Sequence, residues 1–426
     1  MTQPSLHDMT SNNSQSDYDP NSMSVIQAKQ LIRNYLTPVE SVETRPLRES
    51  LGRILAEDIL SPHNVPNHNN SAMDGYAFNA ESLSPSGETN LNIVGTAFAG
   101  RPYEGNTLAI GDCVRIMTGA VIPIGADTVI AQERVKVSDD SISFSDTIKA
   151  GFNVRYAGED LKQGQVVLGK GHFIRAADLG LVASLGIGLV KVYRKLKVAF
   201  FSTGDELSAI GETLQLGQVY DSNRYTIYGM LARMGVEIID LGAIPDDPLA
   251  LEEALTQASH QADVIITSGG VSVGEADYMK QLLKQYGEVV FWKIAMKPGR
   301  PLAYGKVGQS HYFGLPGNPV AVMVTFYQFV REAMLVLMGQ NAPKPLPMLR
   351  AICTEKIRKL PGRTEFQRGI LFIDDDGEWK VKTTGNQGSG ILSSMSAANC
   401  FIVLPEETGN LETGSQVQVQ MMDGIV

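Results

Sequence analysis

VAFFSTGDEL at 198–207, VEIIDLGAIPDDP at 236–248 and DVIITSGGVSVGEADY at 263–278 each begin with a short β-branched or aromatic run and end in Gly, Pro and acidic residues. Runs of this kind read as buried strands that empty into loops. Between them lie stripes at helical spacing: Ile227, Met230, Leu231 and Met234, then Leu251, Ala254, Leu255 and Ala258, then Met279, Leu282, Leu283 and Tyr286. Strands alternating with amphipathic helices predict a three-layer α/β module with a mostly parallel sheet. A fourth strand is expected at 288–296, a hairpin at 301–315 and a last helix from Pro319 to Met338. Asp247 before Pro248 and Asn318 before Pro319 read as helix starts, and Gly235, Gly287 and Gly339 follow helix ends.

Outward from this module the pattern changes. Residues 24–62 read as helical, with Ile26, Ile32 and Leu36 in the first stretch and 47–59 as a second. From 63 to 156, short runs such as LNIVGTAFAG and GDCVRIMTG are separated by turns, a β module inserted in an N-terminal mixed α/β domain that resumes at 157–193. The α/β module then spans 194–344, and 345–426 reads as a C-terminal β-barrel-like domain, with a hairpin formed by EFQRGILFI and EWKVKTTG. The whole is an α/β multidomain chain. Residues 1–23 contain no Lys or Arg and are polar, so a disordered tail is expected there and no secretory leader.

Composition narrows the function. At 426 residues and 43% hydrophobic, the chain has material for several cores. A net charge of -10 opposes bulk attraction to DNA, RNA or anionic lipid, so no nucleic-acid or membrane partner is expected. The 319–338 run carries Gln328, Arg331 and Glu332, which marks it as a core helix. Three scattered cysteines, Cys113, Cys353 and Cys400, form no metal-binding spacing, and reduced thiols fit a cytoplasmic location.

In an open parallel sheet, ligands gather beyond the carboxyl ends of the strands. Five successive connections there, TGDEL, IPDDP, GGVSVGEADY, KPGRP and PGNPV, join Gly or Pro to a charged or amide side chain. Residues 269–274, with Gly269, Gly270, Ser272 and Gly274, could bring backbone N–H groups to a phosphate, although neither a Walker A nor a dinucleotide fingerprint is present. A tight strand-to-helix turn is the plainer alternative. Glu206, Asp246 and Asp277 offer hard carboxylate oxygens suited to Mg²⁺, while capping is the competing role for Asp246 and Asp277. Lys293, Lys297 and Arg300 place positive charge after the fourth strand. Asp74 in NNSAMDGYA, Thr118 in RIMTGA, Asp160 in RYAGED, Arg368 in FQRG and Ser389 in GSGILSSM read by composition as ordinary turns.

Taken in order, NSAMDGYA, RIMTGA, GEDL, STGDEL, DSNR, DDP, SGGVSVGEADY, KPGRP, LPGNPV, FQRG and the 387–394 loop resemble the molybdopterin molybdenumtransferase family, the molybdenum insertases related to the gephyrin E domain. The resemblance runs from about residue 24 to 426. It implies a transferase of molybdenum cofactor biosynthesis that takes adenylylated molybdopterin and molybdate, uses Mg²⁺ to cleave the phosphoanhydride, and releases AMP. It further implies that Glu206, Asp246 and Asp277 are the metal and catalytic acids, with Asp160 another functional acid. Lys297, Arg300, Pro301, Arg368 and Ser389 fall at the family's molybdate site, with Lys293 close by, and Pro316, Gly317 and Asn318 join the substrate site. A homodimer is implied, in which Asp74 and Thr118 enter a shared cleft, with contacts to molybdopterin-synthesis or apo-molybdoenzyme proteins. Arg300 stands where lysine is frequent, and Val121 and Ile124 vary the usual run. The rival readings are a molybdopterin adenylyltransferase, which lacks the flanking domains, and a gephyrin-like scaffold without catalysis.

Overall fold

The computed structural model describes residues 22–85, 87–270, 276–340, 343 and 345–422. The chain divides into two compact units: residues 44–51 and 55–191 form one, and residues up to 43, 52–54 and 192 onward form the other. The tail expected at 1–23 lies outside the described residues except for Ser22 and Met23. Met23 is ordered, its carbonyl accepting the Ala295 N–H at 2.8 Å.

The 55–191 unit is built on a six-stranded sheet of β1 (Gly75–Phe78), β2 (Thr89–Ala97), β3 (Asp112–Ile116), β4 (Thr128–Ala131), β5 (Lys136–Ser138) and β6 (Ser141–Phe144), in spatial order β4-β1-β3-β2-β6-β5. Alternating side chains feed two small cores, one around Phe78, Cys113, Ile130 and Phe144, the other around Ala77, Val114, Ile116 and Val129. The polar run 69–77 was expected to be only a turn. Its second half is instead β1, a strand buried at all four positions. Gly75 permits this, because a Cβ there would lie 1.9 Å from the Ile130 carbonyl oxygen.

The second helix expected at 47–59 does not form. Leu47–Ser50 make a single 3-10 turn, Gly52 takes φ +74°, and the chain runs on to a two-residue strand, Ile59–Leu60. Leu55 and Ala56 donate their N–H groups to His172 and Lys191, so distant carbonyls take over from a helical ladder.

In the larger unit, α1 (Val25–Tyr35) opens with a capping box at Ser24 and Gln27. The central sheet comprises β7 (Lys197–Thr203), β8 (Glu237–Ile244), β9 (Val264–Ser268), β10 (Gly287–Lys293), β11 (Pro301–Val307) and β12 (Ser310–Leu315), in order β8-β7-β9-β12-β11-β10. The first four in that order are mutually parallel and only β11 opposes its neighbours. The hairpin expected at 301–315 therefore belongs to the sheet itself.

Connecting helices are α3 (Ser222–Arg233), α4 (Pro248–Gln261), α5 (Ala276–Tyr286) and α6 (Pro319–Thr325); α2 (Ala176–Ser184) lies in the smaller unit. On one sheet face Ala199, Phe201, Ile265 and Tyr312 pack against Leu251 and Leu255 of α4 and Met279 and Leu283 of α5. Val198 and Phe200 point the other way and are fully buried, where α3 and α6 lie together. Gly235 and Gly339 take positive φ after their helices, but Gly287 does not cap: it starts β10, where a Cβ would lie 1.7 Å from the Lys306 carbonyl oxygen.

The last helix is interrupted. After α6, residues Phe326–Val330 form a π turn before α7 (Arg331–Leu337). By length and composition this run could cross a membrane, but 67% of its window is buried within the fold, as the core helix of a globular domain should be. Beyond it, β13 (Met348–Cys353), β14 (Thr364–Ile373), β15 (Trp379–Thr383), β16 (Cys400–Leu404) and β17 (Gln416–Met421) pair in a closed cycle, a five-stranded barrel whose core holds Leu371, Val381, Ile402 and Val419.

Candidate active site

Strand direction decides where the chemistry gathers. Because β7, β8, β9 and β12 are parallel and β10 points the same way, the loops at 203–207, 245–248, 294–301 and 316–319, and the turn that begins at Gly269 and Gly270, leave one edge of the sheet.

The turn after β7 is the hub. Thr203 Oγ1 donates to Asp246 Oδ1, and Asp205 Oδ1 accepts the Asp246 N–H at 3.2 Å. Glu206 is exposed and folds back over Gly204, whose missing Cβ would otherwise sit 2.5 Å from its carboxylate. Asp247 is committed to α4, accepting the Ala250 N–H at 2.9 Å. Asp246 is not the cap; it is half-buried and tied to the 203–207 turn.

Gly269 and Gly270 follow β9 at φ +91° and +65°. A Cβ on Gly269 would lie 2.2 Å from the Thr203 carbonyl oxygen, so that glycine lets the two turns touch. Gly317 is on the same side, its Cβ position 3.9 Å from the Gly269 Cα. Ser272 and Gly274 lie outside the described residues, as does the Asp277 side chain, whose backbone begins α5.

Farther along the edge is a second group. Lys293 and Pro301 are register partners, and the Ile294 N–H donates to Arg300 O at 2.9 Å, closing the loop that carries Lys297 and Arg300. Gly299 rests on α6, since a Cβ would lie 2.6 Å from Thr325 Cγ2. The two-residue strand Met296–Lys297 pairs with β14, setting the exposed Lys297 Nζ 3.6 Å from the buried Glu365 carboxylate. Asn318 starts α6 but makes no side-chain capping bond. The Val320 N–H instead donates to Ser389 O at 3.2 Å, which joins the Ser389 loop to the Pro316–Gly317–Asn318 turn.

Arg368 is 1% exposed. Its Nε donates to Ser394 Oγ at 2.9 Å and its Nη2 to Gly388 O at 2.8 Å, so the guanidinium shapes the Ser389 loop from beneath. Burial pulls its pKa down to about 10, which leaves it cationic at neutral pH.

Asp74, Thr118 and Asp160 belong to the 55–191 unit. Asp74 Oδ1 accepts both the N–H and the hydroxyl of Thr118 at 2.7 Å, and these bonds hold its carboxyl below the usual range. Asp160 is exposed, its N–H bonded to Val65 O at 3.0 Å.

Two polar residues at the edge were not singled out from sequence. Asp221 and Asn223 are 5% and 8% exposed. Asp221 accepts from Ser202 Oγ at 3.0 Å, and Asn223 Nδ2 donates to Ser268 Oγ at 2.8 Å and Gly317 O at 2.7 Å. DSNR enters the family resemblance only as a motif, with no role given to its residues; Asp221 is the N-cap of α3, and nothing local shows that Asn223 reaches two loops more than 40 residues away.

Mg²⁺ binds hard oxygens and usually keeps waters, taking one or two carboxylates plus substrate phosphates. Glu206 and Asp246 are carboxylates on two different loops, which Thr203 and Asp205 hold together through their bonds to Asp246. Among the described residues no three potential ligands cluster into a full protein cage. A magnesium ion held by these two carboxylates would need its remaining oxygens from water and a phosphorylated ligand.

Three family models match in sequence: MoeA N-terminal region (domain I and II) over residues 23–186, "Probable molybdopterin binding domain" over 199–335, and MoeA C-terminal region (domain IV) over 350–422. The α/β module with its loaded edge and the barrel beside it thus define a protein of molybdenum cofactor biosynthesis. Molybdopterin molybdenumtransferase from Haemophilus influenzae is 47% identical over 92% of this chain and 97% of its own length. Gephyrin from Dictyostelium discoideum is 34% identical over 92% of this chain, which spans 60% of that protein. The crystal structure of the molybdopterin biosynthesis moeA protein from Pyrococcus horikoshii superposes with a TM-score of 0.81 at 31% identity, covering 94% of this chain and all of that one. The chain belongs to the molybdopterin molybdenumtransferase family, a family of transferases.

Proposed function

We propose that this protein inserts molybdenum from molybdate into adenylylated molybdopterin, cleaving the phosphoanhydride and releasing AMP. The observation that carries the reading is the meeting of the 203–206 turn, Asp246, Gly269, Gly270 and Gly317 on one edge, with α6, which follows Gly317 and Asn318, bonded to Ser389 at its start and touched by Gly299 of the cationic 293–301 loop at its end.

The glycine turns leave room for phosphate oxygens against backbone N–H groups, and the loops on either side hold the ligand's two halves apart. Glu206 and Asp246 would hold Mg²⁺, and by its motif position Asp277 would join them. When bound, the ion supplies charge neutralisation at the phosphoanhydride oxygens. Lys297 and Arg300 hold the molybdate oxyanion, with Lys293 and Pro301 at its margin. Ser389 borders that pocket, and Arg368 keeps its loop in place. In a homodimer, Asp74 and Thr118 act on the partner subunit's cleft, and Asp160 serves as a further functional acid. The enzyme works in the cytoplasm, downstream of molybdopterin-synthesis proteins and upstream of apo-molybdoenzymes.

The deciding assay incubates the purified protein with adenylylated molybdopterin and Mg²⁺, with and without molybdate, and follows AMP together with reconstitution of an apo-molybdoenzyme. Molybdate-dependent cofactor formation is expected. Consumption of ATP and free molybdopterin instead would establish an adenylyltransferase, and neither activity would leave a scaffold.

A further inference from the structure

Asn223 sits in the first turn of α3, 8% exposed, and spends its amide on two loops at once: Ser268 Oγ at 2.8 Å and Gly317 O at 2.7 Å. The Gly317 carbonyl only accepts, so the side-chain nitrogen must face it and the amide orientation is settled. Ser268 immediately precedes Gly269, and Gly317 immediately precedes Asn318 at the start of α6. One nitrogen therefore sets the spacing between the turn that ends β9 and the turn that ends β12.

A packing role alone would not need this chemistry. Asn223 Oδ1 and the neighbouring Asp221 Oδ2 are buried without hydrogen-bond partners among the described residues. Two unpaired buried acceptors in one corner are costly, and apolar side chains of similar size would fill the space without that cost. What an apolar residue could not supply is the pair of N–H donors.

We propose that Asn223 is a positioning residue, fixing the Gly317 turn against the Ser268–Gly269 turn at the distance the phosphoanhydride of the ligand requires. This rests on the function proposed above and deepens it. The bond it makes to the Gly317 carbonyl can be inverted without changing shape. Asn223→Asp keeps the volume but turns a donor into an acceptor facing that carbonyl, and the two repel. Protonating the introduced carboxyl returns one donor, and burial raises the pH at which this happens. Asn223→Ala has no donor at any pH.

The test uses the full-length protein. Steady-state AMP release is measured for wild type and both variants at about pH 8 and about pH 5.5, bracketing the range in which a buried carboxyl titrates. Amide hydrogen exchange over residues 316–320 is measured alongside. For Asn223→Asp we expect the KM for adenylylated molybdopterin to rise about 10- to 100-fold at the higher pH, the scale of a small misplacement. It should recover relative to wild type at the lower pH, with exchange following the same course. Asn223→Ala should be impaired equally at both. Wild-type KM in Asn223→Asp at the higher pH, loss without acid recovery, or unchanged exchange would each overturn the inference alone. A wild-type enzyme that released no AMP would instead overturn the function on which it rests.

Discussion

Thr203 and Asp246, 43 residues apart, are joined by a hydrogen bond from the Thr203 hydroxyl to Asp246 Oδ1 at the end of the parallel sheet. The bond turns a carboxylate of the IPDDP loop toward the TGDEL turn and its Glu206. Asp247, its neighbour in sequence, is drawn away into capping α4.

Replacing Asp246 by Asn keeps the oxygen that accepts from Thr203 and removes only the charge. Asp246→Asn and Glu206→Gln should therefore melt close to wild type while AMP release falls about 100-fold or more, the scale of losing one electrostatic contact at a reacting phosphoryl group. Wild-type turnover in either variant would remove that residue from the metal and catalytic set.

Gly269 separates two explanations of the glycine-rich turn. With φ +91° and a Cβ position 2.2 Å from the Thr203 carbonyl oxygen, Gly269→Ala combines an unfavourable backbone with a clash. A loss of roughly 1–3 kcal/mol in unfolding free energy is expected, whatever ligand is present. Denaturant unfolding checks it; an unchanged midpoint would show that the turn relaxes freely.

How much of this was visible in the sequence follows from the range of the forces involved. The three helical stripes and four strand runs are local patterns, and the module they predict is the one that forms. The five loops could be placed on one edge because strand direction follows from the alternation. Three features depended on distant partners and could not be read. Gly52 and the carbonyls of His172 and Lys191 undo the helix expected at 47–59. The GYAF strand is recognisable only once Val129 and Val114 flank it. FQRG reads by composition as an ordinary turn, yet it lies within β14, and the bonds of Arg368 go to a loop some 20 residues on.

That inward orientation of Arg368 gives a prediction. Arg368→Ala leaves Ser394 Oγ and the Gly388 carbonyl without their donor, and about 2–4 kcal/mol of stability should be lost. If Arg368 acts through the Ser389 loop, Arg368→Lys should raise the KM for molybdate while leaving that for adenylylated molybdopterin unchanged, because a lysine lacks the fork that reaches both partners. Equal effects on the two constants would contradict this division of the edge.

Asp74 gives a local titration. Its carboxyl lies below the usual range because the Thr118 N–H and hydroxyl both bond the ionised form. A depressed carboxyl stabilises the fold above its unfolded pKa of about 4, and this contribution is lost as pH falls through the lower folded value. Thr118→Val removes one of the two donors and should move the Asp74 titration upward, as followed by carboxyl carbon NMR. No movement would show that the backbone N–H alone sets it.

His311 governs a wider pH response. It is buried on β12 with Nδ1 3.1 Å from the Tyr304 hydroxyl, and desolvation carries its pKa down to about 4. The unfolded chain titrates near 6.5, so between these values it binds a proton that the folded chain refuses. Unfolding free energy must then rise with pH across that window, and acidification from about pH 6.5 to about pH 4 should remove up to about 3 kcal/mol through this residue. His311→Gln, which can still bond Tyr304 but does not titrate, should flatten that part of the stability profile. A profile of unchanged slope in the variant would assign the acid sensitivity to the carboxylates instead.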